Sequence, residues 1–219
     1  MRRALGIDEA SSGLDHPRVA IHLNNLAALL QATNRLAEAE PLMRRALAID
    51  EASYGLDHPN VATRLNNLAG LLKATNRLAE AEPMYRRALG IAEASLGRDH
   101  PYVASCLNNL AQLLEATNRL VDAEPLMRRA LGIDVASYGL DHPNVAIRLN
   151  NLAQLLKATN RLVEAEPLMR RAFVIFLASL GLDHPDSQGV LANYIMILHY
   201  QGLSEEAIQA KLASLLQQN

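Results

Sequence analysis

Five histidines recur every 42 residues, each inside an Asp-His-Pro motif, and they are the side chains best suited to metal binding or acid–base chemistry: His16, His58, His100, His142 and His184. A zinc ion needs its ligands at about 2 Å. Positions one repeat apart in a stack are separated by about 8 to 10 Å, the packing distance of two helices. The motifs therefore cannot converge on one ion, and we expect no metal and no cofactor. The sequence also lacks phosphate loops, paired-histidine zinc motifs and nucleophile elbows, which predicts that the protein is not an enzyme.

The same 42-residue period governs nearly the whole chain, as in a repeat array. Residues 1–12 form a partial copy, which we call copy 0. Copies 1 to 4 are the full copies, and copy 5 is divergent and is predicted to cap the array; they span residues 13–54, 55–96, 97–138, 139–180 and 181–219. Each full copy contains Leu-Asn-Asn-Leu-Ala, Ala-Thr-Asn-Arg-Leu, Ala-Glu-Pro and Arg-Arg-Ala. The sequence thus predicts a single array of stacked units over residues 1–219.

Apolar residues in each copy recur at three and four positions, which predicts two amphipathic helices. In copy 1 the packing set of the first helix is Val19, Leu23, Leu26, Ala27 and Leu30, and that of the second is Leu36, Ala39, Met43, Ala46 and Ile49. Half of all residues are hydrophobic but only 4% are aromatic, a composition that favours closely packed helices. We therefore expect an all-α fold.

Helix boundaries follow from a few residues of copy 1. Proline suits the first helical turn, so the first helix should begin near Pro17 with Asp15 or His16 as its cap. It should end near Thr33, because Asn34 tolerates a left-handed backbone. The second helix should run from about residue 36 to residue 53 and stop at Gly55. Pro41 falls inside it and predicts a bend.

These motifs resemble the tetratricopeptide repeat in its 42-residue form, typical of kinesin light chains. The signature positions are Leu26, Ala27, Leu30, Ala39, Met43 and Ala46. The common form has about 34 residues. The resemblance implies an α-α superhelix of antiparallel helix pairs, in which the first helices line a concave groove for peptides or partner proteins.

Charge and composition narrow the class of partner. The net charge of −2 gives no basic footprint, so we expect no nucleic acid. No apolar run reaches the roughly 18 residues needed to cross a bilayer, and the start is not a secretory signal, so we expect no membrane. A single cysteine, Cys106, fits a reducing compartment, and we expect a cytoplasmic protein.

One face of each first helix is left free by the packing set, and its residues vary between copies. In copy 1 a helical wheel places Ile21, Asn24, Ala28, Gln31 and Arg35 on this face. The variable positions are expected to set ligand preference; the polar ones are Gln31, Lys73, Gln112, Glu115, Gln154 and Lys157. Lys73 and Lys157 would be cationic anchors. The alternative is ordinary drift on a solvated face.

A constant row of amides follows the same face: Asn24, Asn66, Asn108 and Asn150. An amide donates and accepts, so the row could hold a peptide by its main chain. Alternatively, each Asn bonds a neighbouring repeat. The adjoining residues Asn25, Asn67, Asn109 and Asn151 lie nearer the packed side, which favours a structural role.

Arginines near the helix ends and on the second helix have structural interpretations. Arg35, Arg77, Arg119 and Arg161 could reach a ligand, but helix-end carbonyls are the favoured partner. Glu40 and Arg44, and their equivalents in each full copy, form favourably oriented four-residue pairs. Arg64 and Arg148 lie outside the free face and rank below the lysines as ligand contacts.

The leading hypothesis is a non-catalytic scaffold that binds a protein or peptide. The alternative is a structural spacer or self-association module of a larger protein. Residues 1–12 match only a second helix, as in a fragment of a longer array, and expose apolar residues such as Leu5 and Ile7 through which two chains could pair.

Overall fold

The computed structural model describes residues 2–217, without the side chains of residues 2, 4 and 5, and this part contains eleven α-helices and no strand. The first helices of copies 1 to 5 are α2 (Pro17–Ala32), α4 (Pro59–Ala74), α6 (Pro101–Ala116), α8 (Pro143–Ala158) and α10 (Pro185–Tyr200). The second helices of copies 0 to 5 are α1 (Arg2–Ser12), α3 (Leu36–Tyr54), α5 (Leu78–Leu96), α7 (Leu120–Tyr138), α9 (Leu162–Leu180) and α11 (Glu205–Gln217). The all-α prediction is confirmed.

The helices form two compact units, residues 2–113 and residues 114–217, with the division inside α6. In the first unit, α2 packs on α3 around Val19, Ala20, Leu23, Ala46 and Ile49. The equivalent residues of α4 and α5 form the next cluster. In the second unit, α9 buries Met169, Ala172 and Phe173. Most of these residues hold predicted packing positions, because the three-and-four spacing places them on one side of a helix. Ala20 and Phe173 are buried with them but lie outside the predicted set.

Histidine caps the first helices. His16 has an extended backbone, and its Nδ1 accepts a hydrogen bond from the backbone N–H of Arg18 at 3.2 Å. His58, His100, His142 and His184 make the same bond at 3.1 to 3.2 Å. Of the two predicted caps, His16 and not Asp15 fills the position. The histidines therefore serve helix starts, as each imidazole satisfies an N–H that the helix cannot.

We expect His100→Ala to lower the free energy of unfolding by about 1 kcal/mol, because the cap of α6 is lost. His100→Asn should retain most of it, since asparagine is itself a favoured cap. Urea denaturation followed by circular dichroism measures both. Equal losses in the two variants would show that His100 stabilises the chain through packing and not through its cap.

The predicted helix ends are also confirmed. Asn34 adopts a left-handed backbone with φ of 57°, and Asn76, Asn118 and Asn160 repeat it at 59 to 60°. The following N–H of Arg35 returns to the carbonyl of Leu30 at 2.8 Å, which closes the end of α2. Gly55 ends α3 at a φ of 86°. Pro41 lies inside α3 as expected, and the bend stays a prediction.

Candidate functional site

The predicted free face is accessible in copies 1 and 2. On α2, Ile21 and Ala28 are exposed and Asn24 and Gln31 are half-buried. On α4 the equivalent residues, Thr63, Asn66, Gly70 and Lys73, are all half-buried. The packing positions opposite them are buried; Leu23 and Leu68, for example, are 0% exposed. On α2 and α4 the packing positions are therefore on the buried side, as the sequence predicted.

A concavity of about 390 Å³ opens on this face in the first unit. It is lined by Ala28, Gln31, Met43, Asn66, Asn67, Gly70, Lys73, Tyr85 and Asn109. Helices α2, α4 and α6 supply the polar groups, whereas Met43 and Tyr85 reach it from α3 and α5. Three of the predicted ligand contacts, Gln31, Asn66 and Lys73, therefore meet in one site of the size that binds small ligands or a few peptide side chains.

The asparagines form a ladder between successive copies. Asn67 Nδ2 donates to Asn24 Oδ1, and Asn109 Nδ2 donates to Asn66 Oδ1, both at 3.0 Å. Asn193 Nδ2 donates to Asn150 Oδ1 at 3.0 Å in the second unit. The structural role expected of Asn67 and Asn109 is confirmed. In Asn24 and Asn66 only the acceptor is used, and the Nδ2 group has no partner within residues 2–217.

The other two amides of the row are more confined. Asn108 is only 4% exposed, so it is the member least accessible to a ligand. Asn150 lines a separate concavity of about 250 Å³ with Ile147, Phe176 and Asn193. Its Nδ2 donates to Asn151 Oδ1 at 3.2 Å. Asn24 and Asn66 are therefore the members of the row whose donors remain available.

The lysines differ in their surroundings. Lys73 Nζ donates to Gln112 Oε1 at 2.8 Å, so the ammonium predicted to anchor a ligand is held by a neighbouring side chain. Lys157 Nζ lies 3.4 Å from the weak acceptor Met196 Sδ. Glu115, Gln154 and Lys157 are half-buried in the second unit, and none of them lines the concavity around Asn150.

Copy 2 differs from the other full copies at two neighbouring positions of the concavity, Tyr85 and Gly70. Tyr85 replaces a methionine, and Gly70 takes the place of Ala28, Gln112 and Gln154. A Cβ on Gly70 would lie 3.5 Å from the Tyr85 hydroxyl, an ordinary van der Waals contact, so the phenol lies directly beside this position. Tyr85 is 2% exposed, and burial raises its pKa to about 12. Sequence reasoning missed Tyr85, although this paired change in one copy was a visible signal.

Of the four arginines near the helix ends, Arg35, Arg77 and Arg161 pair with carboxylates. The prediction that they satisfy helix-end carbonyls is wrong for these three. Arg77 contacts Glu80 and, across the repeat boundary, Glu40, both at 2.7 Å. Arg161 bridges Glu164 and Glu124 in the same way. The hydrogen bond from Arg161 is the main reason that the pKa of Glu124 is lowered. A carboxylate is a stronger partner for guanidinium than a carbonyl.

Two arginines that the sequence ranked low form buried ion pairs. Arg64 Nε lies 2.8 Å from Asp50 Oδ2, and the side chains are 9% and 1% exposed. Arg148 repeats the contact with Asp134 at 2.8 Å. In both ion pairs, the second carboxylate oxygen of the aspartate, Oδ1, is buried without a hydrogen bond. Their partners lie on the preceding second helix, which explains why a wheel drawn on the first helix did not reveal them.

Neither a metal site nor a membrane span emerges from the described residues. Within residues 2–217, no three His, Cys, Asp or Glu side chains come together in a way that could hold an ion. No helix in this range is both long enough and apolar enough to cross a bilayer. At the amino-terminal end, Ile7 is 58% exposed, and the side chain of Leu5 lies outside the described residues. Self-association through this end stays a prediction.

A family model for the tetratricopeptide repeat matches residues 1–52, 18–94, 65–134 and 119–178. The chain belongs to the tetratricopeptide repeat family. The matches overlap and cover most of the sequence up to residue 178, as expected when each full copy carries the signature positions and copy 5 diverges. No curated protein matches the sequence.

Several solved structures share the fold. The repeats of a Podospora anserina protein assigned as a kinesin light chain superpose with a TM-score of 0.76 at 20% identity, covering 93% of this chain and 97% of that one. BtubC (BKLC) from P. vanneervenii gives 0.81 at 21% identity, covering 98% and 85%. Aspartyl phosphate phosphatase F from Bacillus subtilis gives 0.65 at 16% identity, covering 96% and 63%. At these identities the likeness concerns the fold.

Proposed function

We propose that this tetratricopeptide repeat chain is a non-catalytic scaffold that binds an extended peptide segment of a partner protein. The segment lies across α2, α4 and α6 in the first unit. Proteins of this repeat family mediate protein–protein interactions, which supports the general class. The proposed location, a cytoplasmic one, rests on the single cysteine, Cys106, which is buried and unpaired.

The observation that carries this proposal is the concavity of about 390 Å³, in which polar groups with unused donors meet beside Met43 and Tyr85. The Nδ2 group of Asn66 and the amide of Gln31 face the same space. The ladder bond from Asn109 fixes the orientation of Asn66 before a ligand arrives. A fixed donor loses little entropy on binding, so it recognises a peptide carbonyl at low cost.

The ladder also explains why a peptide main chain is the proposed ligand. Its bonds leave donors and not acceptors unused at Asn24 and Asn66, and the complementary group is a carbonyl oxygen. Carbonyls recur along an extended peptide about every 3.3 Å per residue. The variable residues Ala28 and Gly70 would then select the peptide side chains.

Gly70→Gln is expected to weaken peptide binding at least tenfold, because it introduces the side chain of copies 3 and 4 into the concavity. Glutamine is the better helix former by roughly 0.5 to 1 kcal/mol, so thermal stability should stay equal or rise. The peptide comes from a random 12-residue display library selected on the intact chain. Fluorescence anisotropy measures its affinity for each variant.

Two asparagine variants test the proposed donor. Asn66→Ala removes the proposed donor and should lower affinity about two- to tenfold, the value of one neutral hydrogen bond. Asn25→Ala changes an exposed residue at the equivalent of Asn67 and should leave affinity unchanged. Selected peptides that bind Gly70→Gln and Asn66→Ala as well as the parent chain would place the ligand elsewhere and refute the proposal.

A further inference from the structure

In copies 1 and 2 both arginines of the Arg-Arg doublet on the second helix are neutralised, and in copy 3 the first one is. Arg44 and Arg86 pair with the glutamate four residues before them at 2.8 Å, and Arg128 does so at 2.7 Å. Arg45 and Arg87 pair with a glutamate of the preceding copy at 2.7 and 2.6 Å. On these helices the doublets therefore serve as internal ion pairs and leave little positive charge for a partner.

In copy 4 the first arginine has lost its carboxylate. Glu166 is the expected partner of Arg170, but its Oε1 accepts from Tyr194 Oη at 2.9 Å and from Lys211 Nζ at 2.8 Å. Tyr194 stands where Leu26, Leu68, Leu110 and Leu152 stand in the full copies, none of which carries a hydroxyl at this position. Arg170 has no ion pair within residues 2–217.

The second arginine of copy 4 has lost its carboxylate by substitution. Arg45 pairs with Glu9 and Arg87 with Glu51, but the equivalent of these glutamates for Arg171 is Val135. Arg171 instead lies 3.4 Å from the carbonyl of Leu140 and 3.5 Å from Asp141, whose side chain is 89% exposed. Such a solvated contact contributes little, so the guanidinium remains available.

Both arginines line one concavity of about 570 Å³ in the second unit, between α9 and α11. Its apolar lining is Pro167, Leu168, Val174, Ile175 and Leu215, and Asp141 lies at the edge. Two cations beside an apolar floor, with one solvated carboxylate, form an electrostatic and hydrophobic pattern that a ligand of opposite charge can match.

We propose that this concavity is a second binding site, for an acidic peptide segment that carries apolar residues between its carboxylates. The carboxylates bind Arg170 and Arg171, since the guanidinium fork matches a carboxylate with two parallel hydrogen bonds. An apolar side chain of the segment packs against Leu168 and Val174. The apolar lining favours a peptide over a free anion, which would gain nothing from it. The site uses none of the residues of the concavity on α2, α4 and α6.

The test uses the full chain and a fluorescein-labelled hexapeptide of alternating Glu and Leu, at about 0.1 M ionic strength, where charges beyond roughly 10 Å are screened. The peptide should bind, and its Gln-Leu counterpart should not. Combined Arg170→Ala and Arg171→Ala should lower affinity at least tenfold, equivalent to about 1.4 kcal/mol. Val135→Glu restores the missing carboxylate beside Arg171 and should also weaken binding.

The matched control is combined Arg86→Ala and Arg87→Ala, which removes a doublet that is already paired and should leave affinity unchanged. An equal loss in this variant would indicate nonspecific charge attraction and overturn the proposal. Binding of the Gln-Leu peptide, or no binding of the Glu-Leu peptide, would also overturn it. Inorganic phosphate that competes with the peptide mole for mole would reveal a simple anion site and refute the peptide assignment.

Discussion

Asp50→Ala is expected to lower the free energy of unfolding by about 3 to 5 kcal/mol, because it leaves the buried guanidinium of Arg64 without its counter-charge. Asp50 is 1% exposed and Arg64 8% exposed, so water cannot replace the lost carboxylate without a rearrangement. Urea is the suitable denaturant, since guanidinium salt would screen the ion pair. Circular dichroism at 222 nm, the standard helix signal, follows the unfolding of an all-helical chain.

The control variant copies a pair of residues found one repeat further along the chain. Ala92 and Cys106 stand 42 residues after Asp50 and Arg64, and both are 0% exposed. Adding Arg64→Cys to Asp50→Ala therefore installs the neighbouring pair and should recover most of the loss. The double-mutant cycle should give a coupling of at least about 1 kcal/mol. Additive losses would contradict the assignment of a coupled pair.

Five pairs of positions, 14 residues apart, lie on a second helix and the first helix that follows it, and their chemistry differs. Asp8 Oδ2 lies 2.8 Å from His22 Nδ1, the next pair is Asp50 with Arg64, and Asp134 with Arg148 repeats it. The other two pairs are buried residues without a charge: Ala92 with Cys106, and Phe176 with Val190. A copy stacked so that one of these aspartates met Cys106 or Val190 would bury a charge without a partner. The pairs thus disfavour some wrong neighbours, beyond what the shared leucines can specify.

Local features of the helices were predictable because the residues that determine them are adjacent in sequence. Pro17 and His16 specify the start of α2 within one turn, and Asn34 specifies its end. The packing set of α2 follows from spacing alone. The 42-residue period then extends each of these inferences to the other copies, which made the fold predictable from one copy.

Contacts between copies were not predictable in the same way. Asn67 and Asn24 bond across 43 residues, and Arg64 and Asp50 across 14, on different helices. A helical wheel contains no information about the helix packed against it, so it placed Arg64 outside the free face without revealing its partner. The concavity was only half predicted for the same reason: Tyr85 reaches it from α5, whereas the wheel considered α4 alone.

Tyr194→Ala is expected to cost about 3 to 5 kcal/mol in the stability of the second unit, the range for removing a large buried aromatic side chain. The side chain of Tyr194 is 0% exposed, and its hydroxyl donates to Glu166 at 2.9 Å. The variant therefore creates a cavity in α10 and removes a hydrogen bond to a charged group. Urea denaturation measures the loss, and the equivalent change in an exposed residue, Tyr200→Ala, should cost under about 0.5 kcal/mol.

Tyr194→Phe divides this effect into packing and hydrogen bonding. It retains the ring, so the loss should fall to about 1.5 to 3 kcal/mol, the range for a hydrogen bond to a charged group. A loss as large as that of Tyr194→Ala would assign the whole effect to the hydroxyl and contradict the packing role. Because Tyr194 is one of the two groups that hold Glu166 in place of Arg170, the same variant should let Glu166 pair with Arg170 and weaken binding of the acidic peptide. Stability and ligand affinity in the second unit would then depend on one hydroxyl group that no other copy carries at this position.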